Sequence, residues 1–132
     1  MSLSSVLLGV VALGLAYLIG SLSGSLLLAR AFGRADPRQS GSGNAGATNA
    51  LRTGGRGYGA AVLVFDLLKG VIAALAVPAI CGLGFGMALA CGAAAVIGHV
   101  YPVFFGFRGG KGAATLIGVL LALLPGALLL GL

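Results

Sequence analysis

"SSVLLGVVALGLAYLIGSLSGSLLLA", residues 4–29, contains no charged side chain and is interrupted only by Gly, Ser and Tyr17. A helix rises about 1.5 Å per residue, so roughly 20 apolar residues cross the hydrocarbon core of a bilayer. This run meets that length. Lipid offers the backbone no hydrogen-bond partner, so a segment of this composition is read as a membrane-spanning helix. It is a poor secretory leader: it lacks a basic n-region and exceeds the roughly 7–15 apolar residues of a leader's core. A retained first span is expected.

The rest of the chain repeats the pattern. Of 132 residues, 59% are hydrophobic and 8% charged, against roughly 25% charged in a soluble domain. The eight basic and two acidic side chains all lie between Arg30 and Lys111. Further apolar runs at 58–78, 86–104 and 112–131 predict three more spans. Pro78 and Gly82 in "VPAICGLGFG" are read as the turn between the second and third. The expected fold class is therefore all-α: a polytopic transmembrane helix bundle of about four spans, one membrane domain over 1–132, with glycine-rich loops at 30–57 and 105–111.

The first loop carries Arg30, Arg34, Arg38, Arg52 and Arg56 against Asp36, the second Arg108 and Lys111, and the 79–85 turn no charge. The positive-inside rule then puts both loops in the cytoplasm and the N-terminus outside. The spacings Gly20-x-x-x-Gly24, Gly82-x-x-x-Gly86 and Ala88-x-x-x-Gly92 suit close helix packing. A net charge of +6 and a pI near 10.2 would suggest nucleic acid in a soluble chain. Here no soluble scaffold presents the charge, and no nucleic-acid partner is expected. A basic cluster beside a membrane suits anionic lipid or a phosphorylated substrate. Cys81 and Cys91 read as small packing residues. One His, two Asp and two distant Cys do not form a ligand set, so no metal or other cofactor is expected.

"GSGNAGATN" at 41–49 has the Gly-x-Gly-x-x-Gly spacing of a dinucleotide-binding turn, but it follows "RADPRQS", which is too polar for the buried strand such a turn requires. The underlying chemistry still applies: glycines let backbone N–H groups approach a phosphate. Asn44 is expected to cap a short helix whose N-terminus favours an anion. Ser42 and Thr48 add hydroxyls, and Arg52 a guanidinium suited to bidentate phosphate binding. "FGFRGGKGAAT" at 105–115 fails as a P-loop, because Phe105 replaces the first glycine and Gly112 follows Lys111. It still places a cation and exposed N–H groups at the mouth of a helix. In "FDLLKG", Asp66 and Lys69 are three apart on one helical face and can pair. That pair is read as orienting its surroundings. His99, the only histidine, is open to two readings: general base, or loop-orienting group.

"GSGNAGATNALR" (41–52), "FDLLKG" (65–70) and "GHVYPVFFGFRGGKGAAT" (98–115), in that order, resemble the acyl-phosphate-dependent glycerol-3-phosphate acyltransferases of bacterial inner membranes. The resemblance implies transfer of a fatty acyl group from acyl-phosphate to the 1-hydroxyl of glycerol 3-phosphate. This is the first acylation of phospholipid biosynthesis, and it gives 1-acyl-glycerol 3-phosphate and phosphate. It implies a catalytic set of Ser42, Arg52, Lys111 and His99. Substrate phosphate would be bound by Gly43, Asn44, Gly46, Thr48, Asn49, Gly109, Gly110 and Gly112, with Asp66 and Lys69 in orienting roles. The implied partners are the two substrates, membrane lipid and the peripheral enzyme that makes acyl-phosphate. Members of this family continue into further spans and a third motif of His-x-Glu-Asn type. This chain ends at "ALLLGL" and contains no Glu, so it reads as a C-terminally shortened member, either a fragment or a natural truncation. The competing readings are a small anion channel or transporter, and an inactive bundle.

Overall fold

The computed structural model describes residues 2–129, with side chains through 124, and every regular element in that range is helical. The helices are α1 (Leu3–Gly20), α2 (Gly24–Ala31), α3 (Ala47–Gly54), α4 (Arg56–Ile80), α5 (Phe85–Val100) and α6 (Ala113–Leu129), with 3-10 turns at Pro37–Gln39 and Val103–Phe105. Among the described residues, three segments are long and apolar enough to cross a membrane: Leu3–Gly20, Arg56–Ile80 and Phe85–Phe105. The apolar helix α6, Ala113–Leu129, has 17 residues. Residues 130 and 131 of the expected fourth span lie outside the described residues.

The run at 4–29 is not one helix. α1 ends at Gly20 and α2 begins at Gly24. Ser21 donates its hydroxyl to the Tyr17 carbonyl at 3.0 Å, and Ser23 caps α2 by accepting from the Leu26 N–H at 3.4 Å. The break leaves the Leu22 carbonyl and the Gly24 N–H without helical partners, and α4 supplies both. Lys69 Nζ donates to Leu22 O at 3.0 Å, and Asp66 Oδ1 accepts from Gly24 N at 3.1 Å. A second difference concerns Pro78, which lies inside the last turn of α4 and does not form the turn. Gly82, at φ +68°, makes the reversal, and Leu83 N–H donates to Pro78 O at 2.8 Å.

α4 is the central helix and touches each of the other five. The core is built mainly from small residues, as close packing in lipid requires. Ala12, Ala16, Ala73, Cys91 and Ala95 are fully buried between α1, α4 and α5, with Cys81 packed against them. Ala74, Ala88, Val119, Ala122 and Leu123 join α4, α5 and α6. Between the long helices, backbone meets backbone at glycines. Gly20 lies against Ala95 and Gly98 against the Tyr17 carbonyl, while Gly70 meets the Thr115 carbonyl and Gly118 the Leu67 carbonyl. Of the expected spacings, Gly24 packs on Phe65 and Asp66, and Gly92 on Val119; Gly82 and Gly86 face open space and pack on nothing. Leu7, Val10, Val11 and Leu15 on α1 are exposed, as are Leu63, Val64 and Leu68 on α4 and Leu116 and Leu120 on α6. These side chains form the lipid-facing surface.

A side chain at Gly118 would overlap the Leu67 backbone, which cannot rotate away. Gly118→Leu is expected to destabilise the bundle by about 1–3 kcal/mol or more, the usual cost of overpacking. Gly14→Leu, where nothing lies within 4 Å, is expected to be neutral. Thermal unfolding of both variants in the same detergent checks this, and equal melting temperatures would contradict it.

Candidate functional site

A cavity of about 330 Å³ lies where the two glycine-rich loops meet the bundle. Ser42, Asn44, Gly46, Thr48, Asn49 and Arg52 line it from the first loop and α3, and Leu63 and Asp66 from α4. His99 lines it from α5, and Lys111, Gly112, Ala113, Ala114 and Ile117 from the second loop and α6. Ten of the residues singled out in the sequence therefore share one wall. Gly43, Lys69, Gly109 and Gly110 are not part of it.

Two helices begin at this cavity. In α3 the first intrahelical bond runs from Ala50 N–H to Gly46 O, and in α6 from Leu116 N–H to Gly112 O. The N–H groups of the preceding first-turn residues have no intrahelical acceptor, and each terminus carries a partial positive charge. Asn44 is not the cap of α3. Its Oδ1 accepts from Gly46 N–H at 2.8 Å, ahead of the helix, and Gly46 is the N-cap residue, without a side-chain cap bond.

Asn49 holds the loop together. Its Oδ1 accepts from Ser42 N–H at 3.0 Å, and its Nδ2 donates to Pro37 O at 2.8 Å, Asn44 O at 2.9 Å and Ser40 O at 3.1 Å. Its amide is thus committed to the loop, and the side chain expected to bind phosphate has no donor left. Gly43, Gly109 and Gly110 differ from expectation for a similar reason. Their N–H groups donate to Ser40, Val100 and His99 carbonyls at 3.0, 3.0 and 3.2 Å. Gly109 and Gly110 instead let the second loop lie directly on His99. Ser42 Oγ accepts from Asn44 N–H at 3.3 Å, which leaves its hydroxyl hydrogen free to donate. Arg52 and Lys111 are exposed and form no ion pair among the described residues.

Asp66 and Lys69 pair as their spacing allows, at 3.1 Å, and both are buried. The sequence did not indicate their third member. Lys69 Nζ lies 2.9 Å from His99 Nδ1, so the ammonium touches Asp66, Leu22 and His99 at once. Thr115 Oγ1 donates to the Asp66 carbonyl at 3.1 Å and ties α6 to the same point.

Sequence reasoning also missed Arg38, counted only as loop charge. Its guanidinium grips Asp36, with Nη2 to Oδ2 at 2.7 Å, and donates through Nη1 to Phe105 O at 2.6 Å and Arg108 O at 3.0 Å. It therefore binds the first loop to the second. Asp36 and Arg38 two apart in "ADPR" was the available signal for the pair, but nothing local marks the two distant carbonyls.

A model of the glycerol-3-phosphate acyltransferase family matches residues 10–132. The chain belongs to that family. A glycerol-3-phosphate acyltransferase of Pseudomonas aeruginosa is 54% identical over 116 residues, covering 88% of this chain and 61% of the relative. One from Thiobacillus denitrificans is 53% identical over 113 residues, covering 83% and 56%. The crystal structure of PlsY, an integral membrane glycerol 3-phosphate acyltransferase, in its glycerol 3-phosphate form is 43% identical and superposes with a TM-score of 0.80 over 92% of this chain and 60% of that one. Its lysophosphatidic acid form gives a TM-score of 0.77 at 42% identity. The chain thus spans about three-fifths of the length of these relatives. Like the PlsY structures, it is a membrane protein, and its described elements are all helical.

Hydrogen bonds from Arg38 hold the Asp36 carboxyl below the usual carboxylate range. A carboxyl so depressed contributes stability above its unfolded pKa, about 3.9, and loses it as pH falls through the folded value. Asp36→Asn is expected to lower the melting temperature at neutral pH and to flatten the acid-side decline below about pH 4. Melting curves across that range check it; parallel pH profiles for variant and parent would show that the pair does not hold the loops.

Proposed function

We propose that this cavity transfers a fatty acyl group from acyl-phosphate to the 1-hydroxyl of glycerol 3-phosphate, giving 1-acyl-glycerol 3-phosphate and inorganic phosphate. The observation that carries this reading is the meeting of Ser42, Arg52 and Lys111 with the starts of α3 and α6 on one cavity. Its remaining wall includes Leu63 and Ile117, both exposed on the lipid-facing side. Cations and helix N-termini suit phosphate; the apolar edge suits an acyl chain. The family's name, and the glycerol 3-phosphate and lysophosphatidic acid forms of the PlsY structures, agree with it.

Acyl-phosphate is a mixed anhydride with a good leaving group. The acceptor hydroxyl attacks its carbonyl carbon, the bond from that carbon to the phosphate oxygen breaks, and phosphate departs with the electron pair. The hydroxyl proton passes to a phosphate oxygen. Positioning and stabilisation of the carbonyl oxyanion supply most of the acceleration. In this reading Arg52 and Lys111 neutralise the two phosphates, while the Ser42 hydroxyl and the first-turn N–H groups of α3 and α6 orient them. Thr48, Asn44, Gly46 and Gly112 shape the wall. The basic loops face the cytoplasm of the bacterial inner membrane, where glycerol 3-phosphate and the peripheral enzyme that makes acyl-phosphate would meet the site. An anion channel draws less support, because the buried polar groups Asp66, Lys69 and His99 are bonded to one another.

Purified chain given palmitoyl-phosphate and glycerol 3-phosphate is expected to release phosphate only when both are present. Ser42→Ala, Arg52→Ala and Lys111→Ala should each lower kcat/KM by about 10²-fold or more, the scale of one transition-state donor. Turnover unchanged in all three would overturn the assignment of the cavity.

A further inference from the structure

We propose that Lys69 fixes His99 as the tautomer protonated on Nε2, so that His99 meets the substrate as a hydrogen-bond donor and not as a proton acceptor. The Lys69 amino group lies 2.9 Å from His99 Nδ1, 3.0 Å from Leu22 O and 3.1 Å from Asp66 Oδ1. An ammonium has three hydrogens and no acceptor site. If Lys69 is charged, its hydrogens account for all three contacts, and Nδ1 must present its lone pair. The imidazole proton then sits on Nε2.

The opposite arrangement would make Lys69 a neutral amine accepting from Nδ1–H. Asp66, fully buried, would then be either a carboxylate with no cation beside it or an acid whose Oδ2–H finds no acceptor, because Oδ2 has no hydrogen-bond partner among the described residues. An unpaired buried charge is far costlier than a buried pair. The ammonium arrangement is therefore the stable one.

Nε2 has no protein partner among the described residues, and His99 lines the cavity. Gly110 lies against Nε2, and a side chain there would cover it. The bare backbone at 110 thus leaves one N–H pointing at whatever occupies the site. A ring nitrogen that already carries a proton has no lone pair with which to take another from an attacking hydroxyl. It can donate to a phosphoryl or carbonyl oxygen. Lys69 is then a positioning residue that acts through His99, although it does not line the cavity itself. The tautomer stands on the contacts and on the charge of Lys69; the donor role rests on the acyltransfer reading.

His99 is the only histidine in the 132-residue chain, so ¹⁵N-histidine labelling reports one ring. At neutral pH the spectrum is expected to show Nε2 protonated and Nδ1 pyridine-like; the reverse pattern would overturn the proposal. The charge-free double variant Asp66→Asn/Lys69→Met avoids stranding either ion and should lose the single-tautomer signature. In the assay with palmitoyl-phosphate and glycerol 3-phosphate, His99→Leu should lose about 10²-fold in kcat. His99→Gln, whose amide N–H can replace the Nε2 donor, should retain most of it. Equal loss in both would refute the donor role. Absence of turnover in the parent chain would remove the acyltransfer reading and the donor role with it, while the ring spectrum still decides the tautomer.

Discussion

The Leu22 carbonyl and the Gly24 N–H are the groups on which the fold turns. A helix that stops inside an apolar bundle exposes backbone polar groups where no water can satisfy them, and each such group costs several kcal/mol in hydrocarbon. Here α4 answers both from one turn, with Lys69 on the carbonyl and Asp66 on the N–H. The same logic runs in reverse. A buried ion pair is weak evidence of stability unless its remaining hydrogen-bonding capacity is filled, and the broken backbone fills much of it. The break and the pair are thus one feature. α2 then fastens the first loop, with Ser25 Oγ donating to Ala45 O at 2.7 Å, and is itself tied to α4 by Tyr58 Oη donating to Ser25 O at 2.5 Å.

The distribution of charge follows from the same constraint. The chain has two carboxylates. Asp66 is taken by Lys69 and Asp36 by Arg38. Arg30 and Arg34 lie over the rings of Phe105 and Tyr58. That leaves Arg52, Arg56, Arg108 and Lys111 without a carboxylate or ring partner among the described residues, and two of these line the cavity. The phosphate-bearing ligands proposed for the cavity need cations that the protein itself does not neutralise. Here the neutralising groups are all engaged in holding the architecture.

The outline of this arrangement was legible in the sequence. Apolar runs, basic loops and the three motifs are local patterns, and Asp66 and Lys69 are neighbours on any helix. What was not legible depends on contacts between distant segments. "SLSG" inside an apolar run reads as tolerable helix until Lys69 and Asp66 are seen to satisfy its ends. Asn49 looks like one more polar loop residue until its amide is found holding four backbone groups. Arg38 looks like loop charge until it reaches Phe105 and Arg108. Glycine is the hardest to read, because sequence does not tell a glycine needed for a positive φ from one needed for contact. Gly43 and Gly112 have positive φ, whereas Gly109 and Gly110 are bare because His99 lies against them.

That last distinction decides where Lys111 sits. The N–H groups of Gly109 and Gly110 donate to the Val100 and His99 carbonyls, which are the otherwise unpaired acceptors at the end of α5. The second loop is thereby laid flat on α5 just before Lys111, and Arg38 pins it from the other side through Phe105 and Arg108. A side chain at Gly109 would meet the His99 carbonyl and lift the loop away. The ammonium would move with it, although nothing in the cavity itself had changed. The position of the cation is thus set by backbone contacts outside the cavity, and so the glycines of this motif matter without touching a ligand.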